Sequence, residues 1–168
     1  MLQQVTNPNE VSYLGIKSHG MTLEILLRYV HFISIFTIVG TIATEHLLLK
    51  KHMSRRELGR LARIDAAYGL AALILLGAGL TLWLTGAGKP AAFYSKNWIF
   101  HTKITMFLLV GILSIRPTLF FTRERKGDPE QIVPIPNSLF WMIRLELLLL
   151  FVIPFLAGLM AKGIGLSE

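Results

Sequence analysis

Ionisable side chains interrupt four otherwise apolar segments of this sequence, and the first segment carries the densest set. Glu24, Arg28, His31 and Glu45 share one side of a helix that turns by about 100° per residue. His46 lies about 60° from His31 on the same projection. Because a charged group at bilayer depth is costly, we predict that this stripe faces a neighbouring helix, a cavity or a cofactor rather than lipid.

The ionisable residues of the four segments fall into two layers across the membrane. The outer layer contains Arg28, His31, His101 and Lys103. The inner layer contains Glu45, His46, Arg63, Asp65, Tyr68, Arg116, Arg144 and Glu146. For the inner layer we favour a structural role, in which arginines and carboxylates pair with each other, snorkel or bind anionic headgroups.

The outer layer favours a haem site, because two histidines lie on segments of the same direction and each has a cation within three residues. Facing helices can supply axial ligands to haem iron, and cations can bind its propionates. We predict that His31 binds the iron of a haem b and that His101 is the second ligand. Lys103 is the alternative ligand or, like Arg28, a propionate partner. The alternative for His31 is a hydrogen bond to a neighbouring helix.

A second haem is considered near the inner layer. His46 follows His31 by 15 residues, which is about 22 Å along a helix, and this spacing resembles that of transmembrane cytochromes b with two haems. The further residues that such a site would use are His52 or a residue of a neighbouring subunit as ligand, and Arg63 and Arg144 at the propionates. The alternative is that His46 pairs with Asp65 or Glu146.

These side chains must be positioned by membrane-spanning helices. About 20 mostly apolar residues cross a bilayer as a helix, and the segments that qualify are at about residues 22–49, 61–85, 97–121 and 138–161. Only 16% of the residues are charged and 53% are hydrophobic, whereas roughly a quarter of a soluble domain is charged. We predict an all-α integral membrane protein, one domain over residues 1–168 folded as an antiparallel four-helix transmembrane bundle.

The distribution of Lys and Arg predicts the orientation. The first connection with its flanks holds six basic residues and the third holds three, whereas the second holds two and the N-terminal segment one. Because basic loops stay in the cytoplasm, we predict that both termini lie on the outer side of a bacterial inner membrane. We attribute the net charge of +7 to the basic loops that set the membrane orientation, and we predict no nucleic-acid partner. Four helices form a thin wall around a haem, so we expect a homo-oligomer.

The sequence excludes several other chemistries. No cysteine is present, so disulfides, thiolate metal sites, iron–sulfur clusters and cysteine nucleophiles do not occur. The glycine-serine pattern of hydrolases and the phosphate-binding P-loop pattern are both absent from the chain.

Several motifs resemble those of the HemJ-type membrane protoporphyrinogen oxidases. The run Trp-Ile-Phe-His-Thr-Lys at residues 98–103 is similar to the Trp-x-His-x-Lys opening of their third helix, with one extra residue. His31 corresponds to their first-helix histidine, and His52 falls where they have another histidine. Residues 60–69 are similar to the start of their second helix. The resemblance implies that haem b is bound through His31 and that Lys103 is used.

A closer resemblance is to an uncharacterised family of small four-helix bacterial membrane proteins, which shares the runs Asp-Ala-Ala-Tyr-Gly at residues 65–69 and Ser-Ile-Arg-Pro-Thr at residues 114–118. The leading hypothesis is a haem b protein that exchanges electrons with a quinone or a partner protein. The second is oxidation of protoporphyrinogen IX, with a porphyrin beside His31 and Lys103. The third is a non-haem scaffold or small transporter in which the buried charges form a proton or ion path.

Overall fold

The computed structural model describes residues 8–86 and 89–166, with side chains from Met21 onward. Its elements, in chain order, are α1 (Pro8–Leu48), β1 (His52–Ser54), α2 (Arg55–Leu84), α3 (Ala91–Ser95), α4 (Trp98–Glu124), β2 (Ile132–Pro134) and α5 (Asn137–Ala161). Four of the helices are long and apolar enough to cross a membrane. The predicted all-α membrane bundle is therefore confirmed, with a small sheet added at one end.

The second spanning helix begins earlier than its hydropathy predicts, at Arg55 instead of about residue 61. The cause is a capping box, in which the Ser54 hydroxyl accepts a hydrogen bond from the Glu57 amide and the Glu57 carboxylate accepts one from the Ser54 amide. This exchange satisfies amide groups that a helix N-terminus otherwise leaves without partners. Hydropathy locates the lipid-crossing part of a helix, whereas the cap sets where the helix begins.

Two connections that the sequence treats as separate loops pair with each other. Strands β1 and β2 are antiparallel, with Met53 opposite Val133. The Ile135 amide extends the pairing by donating to the Lys51 carbonyl at 2.9 Å. This sheet joins the α1–α2 connection to the α4–α5 connection, so the two basic loops form one structure at the same end of the bundle. Its strands are only three residues long, too short for a hydropathy pattern to reveal.

The Arg55 side chain holds this end of the bundle together. Its Nη1 donates to the carbonyls of Glu124 and Lys126 at 2.7 and 2.5 Å, where α4 ends. Its Nε donates to Gln131 Oε1 at 2.8 Å. A cation at a helix C-terminus is favoured because the last carbonyls are otherwise unsatisfied.

Arg55→Ala is expected to lower the free energy of unfolding by about 2–3 kcal/mol, because three charge-assisted hydrogen bonds are lost, one of them to the half-buried Glu124 carbonyl. Arg56→Ala is the matched control, since Arg56 is exposed and forms an ion pair with the exposed Glu130, a contact worth less than about 1 kcal/mol. Thermal unfolding of both variants in one detergent measures the difference. Equal losses of stability would contradict the role assigned to Arg55.

The spanning helices pack in the cyclic order α1, α2, α4, α5. Consequently α1 and α4 lie diagonally across the bundle, and side chains from both can meet only in its interior. The tightly packed core lies in the half next to the sheet, around Leu58, Phe121, Leu139 and Ile143. Large apolar side chains cover the outside of all four helices, as contact with lipid requires.

Candidate functional site

His31 lies on the interior side of α1, half-buried against α2. A Cβ atom placed on Gly79 would lie 3.4 Å from His31 Cε1, so the ring packs directly on the helix backbone there. The carbonyl of Leu75 is the neighbouring backbone group. The His31 Nδ1 atom is buried and has no hydrogen-bond partner among the described residues. An unpaired buried ring nitrogen is costly unless it is used by a ligand or partner.

Lys103 is the group of the outer layer that faces His31 from across the bundle. It is half-buried on α4, and its ammonium is close enough to interact electrostatically with the His31 ring. Within the part of the chain that the structure describes, Lys103 forms no ion pair. The interior of the outer layer therefore holds an imidazole and an ammonium with no carboxylate between them.

The structure does not bring His101 to His31, contrary to our expectation that the two rings converge. The His101 side chain is exposed, and its Nε2 lies 2.9 Å from the Ser95 carbonyl oxygen. The reason is helical geometry, because residues two apart point about 200° away from each other. When Lys103 faces the interior, His101 must face outward.

Arg28 is placed apart from His31 by an ion pair of its own. Its Nη2 lies 2.7 Å from Glu24 Oε1, one turn earlier on α1, and its side chain is largely exposed. The role predicted for Arg28 at a propionate would require this pair to open.

The residues considered for a second haem are not assembled. His46 is half-buried with a buried Nδ1 that lacks a partner, but His52 is exposed in β1 instead of ending the first helix. Arg63 and Arg144 lie on the bundle surface, where Arg144 stacks 5.6 Å from the centre of the Trp141 ring. The described residues thus bring no second ligand to His46, and the alternative pairing of His46 with an inner carboxylate is also not formed.

Three carboxyl groups of the inner layer meet in the centre of the bundle. Glu45 and Glu146 are 0% exposed and Asp65 is 4% exposed. Each interacts electrostatically with at least one of the others. The four oxygens of Glu45 and Glu146 have no hydrogen-bond partner among the described residues.

Of the structural roles considered for the inner layer, the pairing of arginines with these carboxylates is not formed among the described residues. Arg63, Arg116 and Arg144 are all on the bundle surface, and none forms an ion pair within the described ranges. Long basic side chains reach the membrane interface by snorkelling, whereas shorter acidic side chains on interior faces of the helices cannot.

Two hydroxyl groups of α4 and one of α2 complete the carboxyl cluster. Thr118 Oγ1 donates to Asp65 Oδ1 at 2.9 Å. Tyr68, which is 4% exposed, lies beside Ser114 and interacts electrostatically with all three carboxyl groups. Every spanning helix therefore contributes a polar side chain to this cluster.

Metal coordination by protein side chains alone finds no support in the described residues, where no three His, Asp or Glu side chains are arranged to hold an ion. A haem site does not require three such side chains, because the porphyrin supplies four of the iron ligands and the protein supplies only one or two.

Comparison with models of known protein families gives a match. The family model described as Predicted membrane protein (DUF2214) matches residues 23–165. The chain belongs to this family. A search of curated proteins and a search of solved structures gave no match. The predicted membership of an uncharacterised membrane protein family is thereby confirmed, and the relation to the HemJ-type oxidases stays a prediction.

This DUF2214 protein thus has two polar sites at different depths, and sequence reasoning missed two residues of the inner one. Ser114 and Thr118 are four residues apart, so they share a helix face, as Asp65 and Tyr68 do at a spacing of three. The pair on α4 could have been found in the same way, as a polar stripe in an apolar helix. The outer site presents an imidazole and an amine, whereas the inner site presents carboxyl and hydroxyl groups.

Proposed function

We propose that this protein binds one haem b in the outer half of the bundle through His31 and acts in electron transfer within the membrane. The observation that carries the proposal is the His31 ring, which faces the interior and has a buried Nδ1 with no hydrogen-bond partner among the described residues. If the other ring nitrogen, Nε2, bound haem iron, Nδ1 would carry a proton, and the neighbouring Leu75 carbonyl could accept it as a hydrogen bond. When bound, haem supplies one-electron redox chemistry that the protein tunes through its ligands and surroundings.

Lys103 is the residue of α4 that the proposal uses opposite His31. As a neutral amine it can serve as a second ligand, and as an ammonium it can donate to a propionate. Gly79 lets the His31 ring pack directly against α2, because a glycine leaves the space that a larger side chain would fill. The electron partner that we propose is a quinone or a second protein, with the homo-oligomer completing the wall of the site.

The resemblance to the HemJ-type oxidases extends the proposal to one enzymatic candidate, oxidation of protoporphyrinogen IX beside His31 and Lys103. The specific observation in its favour is that these two residues, and not His101, are brought together in the interior. Porphyrin turnover by the purified protein with a quinone acceptor separates this candidate from simple electron transfer.

The test is the haem content of the protein purified from a host with ample haem, measured as pyridine haemochrome with the Soret spectrum. We expect wild type to contain haem b and His31→Ala to lose it. Lys103→Met is expected to shift the Soret band, and His101→Ala to leave it unchanged. His52→Ala is the matched control, because His52 is exposed in β1.

Full haem content with an unchanged spectrum in His31→Ala would refute the ligand assignment. A wild-type protein that is folded but free of haem under these conditions would refute haem binding altogether and favour the third hypothesis, a scaffold or transporter. If His101→Ala and Lys103→Met shift the Soret band equally, α4 must rotate when the cofactor binds.

A further inference from the structure

The carboxyl cluster of Glu45, Asp65 and Glu146 lies in the membrane part of the bundle and is independent of the outer site. Its members come from α1, α2 and α5, and Thr118 adds a hydroxyl from α4. The groups therefore meet only because four helices pack around them. Because all four helices surround these side chains, the cluster is an interior feature of the bundle and does not belong to the surface or to a frayed helix end.

The cluster lacks the partners that buried carboxylates require. No ion pair reaches it within the described residues, and the Glu45 and Glu146 oxygens accept no hydrogen bond there. An isolated ionised carboxylate in a medium of low dielectric constant costs many kcal/mol, and neighbouring carboxylates also repel one another. Three anions at this place would be incompatible with a stable bundle.

A positive species must therefore accompany these side chains, and protons fit better than a metal ion. No three His, Asp or Glu residues of the described chain are arranged as metal ligands. A proton needs one oxygen and no coordination geometry, and a protonated carboxyl group can donate to a neighbouring carboxylate. We propose that Glu45, Asp65 and Glu146 form a proton-binding site inside the membrane that loads and releases protons as one unit.

The surroundings assign different roles to the three groups. Asp65 accepts a hydrogen bond from Thr118 at 2.9 Å, so it is the group best able to hold a negative charge. Glu45 and Glu146 have no such donor among the described residues, and they carry the protons. Because the three groups interact electrostatically, a proton bound at one changes the proton affinity of the others, and the cluster titrates as a set.

The groups that face the site from each helix are few. Helix α1 contributes Glu45, and the next residue, His46, has a buried Nδ1. Helix α2 contributes Asp65 and Tyr68, α5 contributes Glu146, and α4 contributes only hydroxyl groups. The basic residues at this depth are on the bundle surface. Within the described part of the chain, a rise of pH into the alkaline range is thus expected to act on the carboxyl groups, with His46 as the basic residue next to Glu45 in the sequence.

The experiment is infrared spectroscopy of the full-length protein in lipid nanodiscs, with the carbonyl stretch of protonated carboxyl groups as the readout. We expect wild type to show this band at neutral pH and to lose it at alkaline pH. Glu45→Gln and Glu146→Gln should each reduce the band, and the double variant should remove it. Glutamine keeps the shape and the neutral state, so the fold is expected to persist. Glu130→Gln, at an exposed carboxylate, is the matched control.

Melting temperature against pH provides a second readout that does not depend on the variants alone. If the cluster is protonated in the folded state, the folded protein binds more protons than the unfolded chain. Its stability therefore falls as pH rises. We expect a fall in wild type and a flatter profile in the Glu45→Gln/Glu146→Gln double variant.

Three results would overturn the proposal. A wild-type spectrum with no protonated carboxyl band at neutral pH would show that the cluster is ionised. A band that the glutamine variants leave unchanged would place the protons elsewhere. A band that appears only when sodium, potassium and divalent ions are removed would identify a cation site in place of a proton site. None of these results bears on haem content, so the two proposals fail separately.

Discussion

Gly79→Leu is expected to displace the His31 ring and to lower the free energy of unfolding by about 1–3 kcal/mol, the usual cost of overpacking. A Cβ at Gly79 alone would already lie 3.4 Å from His31 Cε1 and 3.7 Å from its Nδ1. The longer leucine side chain cannot be accommodated without moving α1 away from α2. If His31 is the haem ligand, haem content should fall as it does in His31→Ala.

Gly77→Leu is the matched control, because a Cβ at Gly77 meets no atom within 4 Å. Both substitutions relieve the same unfavourable helix propensity of glycine, about 1 kcal/mol, so the difference between the two variants isolates the contact with His31. The measurements are the melting temperature in detergent and the haem content of each variant. If both leucine variants have the same melting temperature and the same haem content, His31 does not pack on Gly79.

Asn97→Ala is expected to destabilise the end of the bundle opposite the sheet by about 3 kcal/mol. The Asn97 side chain is 0% exposed and caps α4 by accepting a hydrogen bond from the Ile99 amide at 2.9 Å. Its Nδ2 donates to the Ile164 carbonyl at 3.0 Å, which fixes the segment after α5. Alanine removes a helix cap worth about 0.5–2 kcal/mol and leaves a carbonyl group without its donor, which costs about 1–3 kcal/mol.

The readouts for Asn97→Ala are the melting temperature and limited proteolysis after α5, where cleavage should become faster. Asn137→Ala is the control, because Asn137 is exposed at the start of α5 and its replacement should change the stability by less than about 0.5 kcal/mol. An Asn97 variant with wild-type stability and protection would mean that the bridge between Asn97 and Leu166 suffices.

The small sheet shows why the local sequence pattern did not predict the whole fold. The Ser54 to Glu57 capping box is a local signal and was readable in the sequence, but the pairing of β1 with β2 joins residues about 80 positions apart. Strands of three residues carry no periodicity of their own. Only the packing of α4 and α5 beside α2 brings their loops together.

The sequence by itself determined that the chain crosses the membrane as four helices, because about 20 apolar residues per segment leave no other way to satisfy the backbone in lipid. It also placed His31 on an interior face. From the sequence we assigned both His101 and Lys103 to the outer site, although residues two apart on a helix cannot both face inward, and the sequence does not say which one does. That choice, like the gathering of Glu45 and Glu146 away from every arginine, depends on how each helix is rotated against its neighbours. Rotation is set by side-chain packing between helices, and therefore only the tertiary structure decides it.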